Sequence, residues 1–217
     1  MILLGNWQLK RLHQKNHLIG SIESNLASPA KFIDSDDITT EIYDKISMKG
    51  QFLAGKNIFL YGRRSSSPEK DGYYMLSVFK ADHDGSTYLV SRGWLPQSVK
   101  NKFSNTARVE KPIIIQAIAL PGEKRSFFVP KNDTKNNIWF TIDLKAAHDI
   151  LGVDRTDYYL MEIYSGSLPE GVKPLNTSTL AKIRNDHLEY AITWYSLATC
   201  LVIIFLIYHR RLTKTGR

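Results

Sequence analysis

The chain contains six histidines, and one of them stands where an imidazole could do more than decorate a polar surface. His187 follows Asn185-Asp186 and directly precedes Leu188-Glu189 and an uncharged run from Tyr190 to Tyr208. Asp186 suits the N-cap of a helix, with Glu189 three residues on in capping-box spacing. The imidazole then falls in the first turn of an apolar helix, at a boundary between water and lipid. A ring nitrogen at that level could be an axial ligand to haem iron, with the apolar macrocycle resting in lipid. The plainer reading of the residues alone is a polar anchor at the interface. The other histidines suggest less. His13 and His17 are four apart and share a helix face, but no third ligand of metal-site spacing accompanies them, so a polar face is the default. His83 lies in Asp82-His83-Asp84-Gly85, where both acids are ordinary turn residues, and His148 falls on a short helix in a structural role. There is no Gly-x-Ser-x-Gly, no phosphate-binding glycine loop and no zinc-protease signature. An enzyme is therefore not expected, nor a metal other than haem iron.

His187 depends on the helix behind it. The 19 residues from Tyr190 to Tyr208 would extend about 28 Å as a helix, against about 30 Å of bilayer hydrocarbon. Tyr190, Trp194 and Tyr195 mark one interface and Tyr208 the other. Arg210, Arg211, Lys214 and Arg217 follow at once, which places the tail inside and the preceding residues outside. The formal charge of +8 is concentrated at the two ends. Residues 1–15 carry Lys10, Arg11 and Lys15 without an acid, and residues 187–217 carry four bases against Glu189. The 171 residues between them hold 22 bases and 20 acids. That distribution fits a topology signal and argues against a nucleic-acid partner. The single cysteine, Cys200, lies within the apolar run, so the outer part must be stable without an intrachain disulfide.

Four domains are expected: an N-terminal helix over 1–28, a β-rich outer domain over 29–186, a transmembrane helix over 187–209 and a basic inside tail over 210–217. Trp7, Leu9, Leu12, Leu18, Ile19, Ile22 and Leu26 recur at helical spacing from Asn6 to about Ala27, and Pro29 ends that pattern. Asp34, Asp36, Asp37 and Glu41 then form an acidic loop or helix start. Strands are expected over 46–53 and 57–63, joined by a turn at Gly55, and then over 73–80, 86–96, 112–120, 137–144 and 157–166. Residues 65–72 read as a loop, and Leu144–Leu151 as a short helix stopped by Gly152. The spacing leaves little room for helical crossovers. The fold class is thus β-rich α+β, an antiparallel sheet or small barrel with an N-terminal helix and a C-terminal transmembrane helix.

Four blocks in this order resemble the Surfeit locus protein 1 family, membrane assembly factors for cytochrome c oxidase. The first is Gly5, Trp7, Gln8 and Arg11, followed by Lys15. The second is Val90, Arg92, Gly93, Trp94 and Pro96. The third is Asn132, Asp133, Asn137, Trp139 and Asp143, and the fourth is His187, Tyr190, Ala191, Thr193 and Trp194. The resemblance implies an outer domain between two membrane helices and a role in inserting or stabilising haem a in the oxidase's catalytic subunit. It makes His187 the expected axial ligand to haem a, with Tyr190 and Trp194 beside it. The expected partners are that catalytic subunit, haem a synthase and the lipid bilayer of a bacterial or mitochondrial inner membrane. A scaffold that grips an oxidase subunit without binding haem is the alternative; a tethered nucleic-acid or carbohydrate-binding barrel is a third reading. Two departures stand out. Only Met1–Asn6 precede Trp7, so about 15 further apolar residues are expected upstream to complete a first span. Ser91 stands where the family carries Asn, a change expected to tune a loop.

Overall fold

A computed structural model of the chain describes residues 1–35, 39–62, 71–104, 111–164, 168–175 and 185–215. Asp36, Asp37, Arg63, residues 65–70, the connection 105–110, the end of the last expected strand and Arg217 lie outside the described residues. The elements are α1 (Ile2–Ala27), β1 (Lys31–Ile33), β2 (Lys45–Tyr61), β3 (Gly72–Ala81), β4 (Thr87–Pro96), α2 (Lys100–Ser104), β5 (Ile113–Leu120), α3 (Leu144–Leu151), β6 (Tyr159–Tyr164) and α4 (His187–Thr215). They form two compact units. One unites Met1–Ser24 with Ser178–Arg217, and the other is Asn25–Thr177.

The second unit is a small barrel. Its strands run β1-β2-β3-β4-β6-β5, and a further pairing of β2 with β5 closes β2, β3, β4, β6 and β5 into a ring. Closure removes the free edges that an open sheet would expose. β1 lies parallel beside the start of β2, with Lys31 opposite Ile46 and Ile33 opposite Met48. β4 and β6 are also parallel, with Val90 opposite Leu160, so the sheet is mixed. The chain between β4 and β6 is long enough to include β5 and α3, and that length lets it return in the same direction. One hydrophobic cluster draws on β1 and all five ring strands, among them Ile46, Phe79, Val90, Ile115 and Leu160. A cluster shared by every strand of a closed ring occupies its interior. A second cluster packs Trp139, Ile142, Leu144 and Ala147 against Leu60 and Leu76.

Two expectations about strands are corrected. The strands expected over 46–53 and 57–63 are the single strand β2, and Gly55 forms no reversal. Phe52 pairs with Phe79 and Asn57 with Ser77, so Leu53–Lys56 bulge opposite one residue of β3. Gly55 supplies the positive φ of 72° within that bulge. The strand expected over 137–144 reduces to isolated bridges, Leu60 with Trp139 and Asp133 with Ile138. Two of its backbone donors are served by a side chain instead: the Asn132 carboxamide oxygen accepts from Phe140 N at 2.9 Å and Thr141 N at 3.1 Å. Such local side-chain bonds compete with a β ladder. Immediately afterwards the chain turns into α3, where Asp143 is the N-cap and accepts from Ala146 N. Gly152 ends α3 in the left-handed region, φ 70°, donating to the His148 carbonyl.

Candidate functional site

The motif residues divide between the two units. Gly5, Trp7, Gln8, Arg11, His187, Tyr190 and Trp194 belong to the unit of α1 and α4. Arg92, Gly93, Trp94, Pro96, Asn137, Trp139 and Asp143 belong to the barrel.

α4 begins at His187, and the Asp186 carbonyl accepts from Tyr190 N at 3.2 Å, so Asp186 occupies the N-cap position. From His187 to Arg211 the helix is long and apolar enough to cross a membrane, and almost none of its most apolar stretch is buried. α1 runs antiparallel beside its head. Asn16 accepts from Asn185 Nδ2 at 2.8 Å, Gln8 meets His187, and Asn6 accepts from the Tyr195 hydroxyl. Gly5 permits the approach, because a Cβ built there would lie 2.7 Å from the Tyr195 ring. Ala191, 1% exposed, is the small residue between His187 and Tyr195 on the same face. At 100° per residue, His187 borders that packed face on one side and the line of Tyr190 and Trp194 on the other. Tyr190 is half exposed and Trp194 partly buried.

The imidazole is held within this pair. Its Nδ1 lies 2.7 Å from Gln8 Oε1, and the Trp7 ring stands edge-on to it, 6.5 Å between centroids at 84°. Gln8 is 9% exposed, so the bond is shielded from water. A carboxamide oxygen only accepts, so this contact is a hydrogen bond only with the proton on Nδ1, which in a neutral ring puts the lone pair on Nε2. One oriented imidazole suits a single axial bond to iron, and the apolar residues at this level suit a lipid-soluble macrocycle. Arg11 is one turn further along α1 and donates to Gln14 Oε1 at 3.1 Å. His13 spends Nδ1 on the Leu9 carbonyl, and His148 Nδ1 lies 2.8 Å from the Val153 carbonyl. Among the described residues, no three His, Cys, Asp or Glu side chains converge on a metal position.

The barrel motif is an interior one. All ten residues of β4 are buried, which corrects the loop expected around Ser91: it pairs with Leu76 and Met161. Arg92 is the extra residue of a bulge, since Met75 faces Gly93 and Leu76 faces Ser91. Its Nε lies 3.5 Å from Glu162 Oε2, both side chains 2% exposed, and its guanidinium sits 3.7 Å from the Phe52 ring centroid. Trp94 exchanges backbone hydrogen bonds with Lys173 at 2.8 and 2.7 Å. Gly93 accommodates that crossing, for a Cβ there would lie 2.4 Å from the Lys173 carbonyl oxygen. Pro96 closes β4 opposite Gly72. In the third block Asn137, at φ 51°, donates to the Asn57 carbonyl, and Trp139 exchanges backbone bonds with Phe59 and Tyr61. These residues build the barrel. The ion pair has only a faint signal in the sequence, a lone arginine and a lone glutamate in two apolar strands.

A barrel on a chain that also carries one helix long and apolar enough to cross a membrane defines an α+β protein with a candidate membrane span. The SURF1 family model matches residues 1–199, and the chain belongs to that family. It is 43% identical to a SURF1-like protein of Rickettsia bellii (strain RML369-C) over 218 residues, covering 100% of this chain and 89% of that one. A SURF1-like protein of Rickettsia felis (strain ATCC VR-1525 / URRWXCal2) is 44% identical over 213 residues, 97% and 92% of the two chains. Surfeit locus protein 1 of Homo sapiens is 28% identical over 211 residues, 90% and 69%.

Proposed function

We propose that this chain is a non-enzymatic, membrane-anchored assembly factor for cytochrome c oxidase that assists the delivery or insertion of haem a into the catalytic subunit. The observation that carries the reading is His187, fixed by Gln8 at the head of an apolar helix with Nε2 left for iron. Haem a is the proposed cargo, and its iron would accept an imidazole lone pair. His187 would bind there, Tyr190 and Trp194 would flank the macrocycle, and the packed face of α1 would hold the ring's orientation. The barrel would lie outside an inner membrane and the basic end of α4 inside, as Arg210 and Arg211 suggest. The catalytic subunit is the proposed recipient and haem a synthase a proposed donor.

One observation favours a second reading, a scaffold that holds an oxidase subunit without binding haem. Phe127 and Phe128 are 89% and 91% exposed on the loop after β5, an aromatic pair suited to a protein contact. The two readings part in an absorption spectrum of detergent-purified protein made in cells that synthesise haem a. Delivery predicts a co-purifying haem a spectrum; colourless protein that still supports oxidase assembly would replace it with the scaffold.

A further inference from the structure

Gln8 and His187 lie 179 residues apart in sequence, yet their side chains meet at 2.7 Å. Resting on the haem reading, we infer that Gln8 is a positioning residue: its carboxamide oxygen holds His187 in the Nδ1–H tautomer, leaving Nε2 as the ring's one lone pair for iron. A neutral imidazole in water prefers the opposite tautomer, with the proton on Nε2. A ring presented by α4 alone would thus offer the wrong nitrogen most of the time. The acceptor at Nδ1 reverses that preference, as outer-shell acceptors do for metal-bound histidines generally. A carboxamide does this without placing a charge at the edge of the lipid.

The surroundings make the bond durable. The contacts of Asn16 with Asn185 and of Asn6 with Tyr195 pin the helices on either side of it. Trp7, edge-on to the imidazole, restricts its rotation. The first and fourth sequence blocks are therefore one device, with the ligand on α4 and its orienting group on α1.

The test uses the full chain in lipid nanodiscs, haem-free and labelled with ¹⁵N-histidine, at about pH 8.5, above the ordinary imidazole range. His187→Ala identifies the His187 resonances. In the wild type the pyridine-type nitrogen is expected to be Nε2. In Gln8→Leu it should move to Nδ1, while Gln8→Glu, which keeps an acceptor, should keep the wild-type pattern. Titration with haem a should show roughly tenfold or greater weakening in Gln8→Leu, and recovery in Gln8→Glu. A pyridine-type Nδ1 in the wild type, or a Gln8→Leu variant with unchanged tautomer or unchanged haem affinity, would overturn the inference. Wild-type protein with the predicted tautomer but no uptake of haem a would instead defeat the proposed cargo and leave the positioning by Gln8 standing.

Discussion

Gly93→Glu is expected to abolish the folded barrel. A Cβ at this position meets the Lys173 carbonyl oxygen at 2.4 Å and Val172 Cγ1 at 2.5 Å, so even alanine forces two backbone segments apart. Gly93→Ala should cost about 1–3 kcal/mol through overpacking. Glutamate adds an uncompensated carboxylate at a strand whose every residue is buried, which raises the loss beyond about 4 kcal/mol. A domain stable by only about 5–15 kcal/mol tolerates that poorly. Urea unfolding of the detergent-purified chain, followed by tryptophan fluorescence, measures both. A Gly93→Ala midpoint equal to wild type would show that residues 172–173 do not cross β4 as closely as described.

Breaking the Arg92–Glu162 pair should be nearly as costly. With both side chains 2% exposed, removing either partner leaves a charge in the barrel interior. Arg92→Met or Glu162→Leu alone is expected to cost about 3–5 kcal/mol. The double substitution replaces both charges with apolar groups and should cost less than either single change. Costs that simply add in the double mutant would show that the two groups are not coupled. The same unfolding experiment decides it.

Local signals made part of this molecule legible. The uncharged run after His187 marked α4, and Gly152 marked the end of α3. Gly55 misled because a glycine at positive φ looks the same in a bulge as in a hairpin turn; only the shared partner β3 separates the two. The parallel pairing of β4 with β6 depends on a return path through β5 and α3, which no short window of residues records. At the candidate site, His187 was legible from its place ahead of an apolar helix. Gln8 was legible only as a motif residue, because nothing local to either helix announces that they pair.

The central claim is that His187 carries haem a, and it is tested most directly by haem a per milligram of purified protein in the wild type and His187→Ala, compared at equal membrane abundance. The substitution leaves Asp186 and the apolar run of α4 intact, so the helix should still insert. Pigment is expected to fall sharply in His187→Ala, together with oxidase assembly. His187→Met, which can also ligate haem iron, should retain part of it. Equal pigment in wild type and His187→Ala would contradict the account and leave His187 an interfacial anchor.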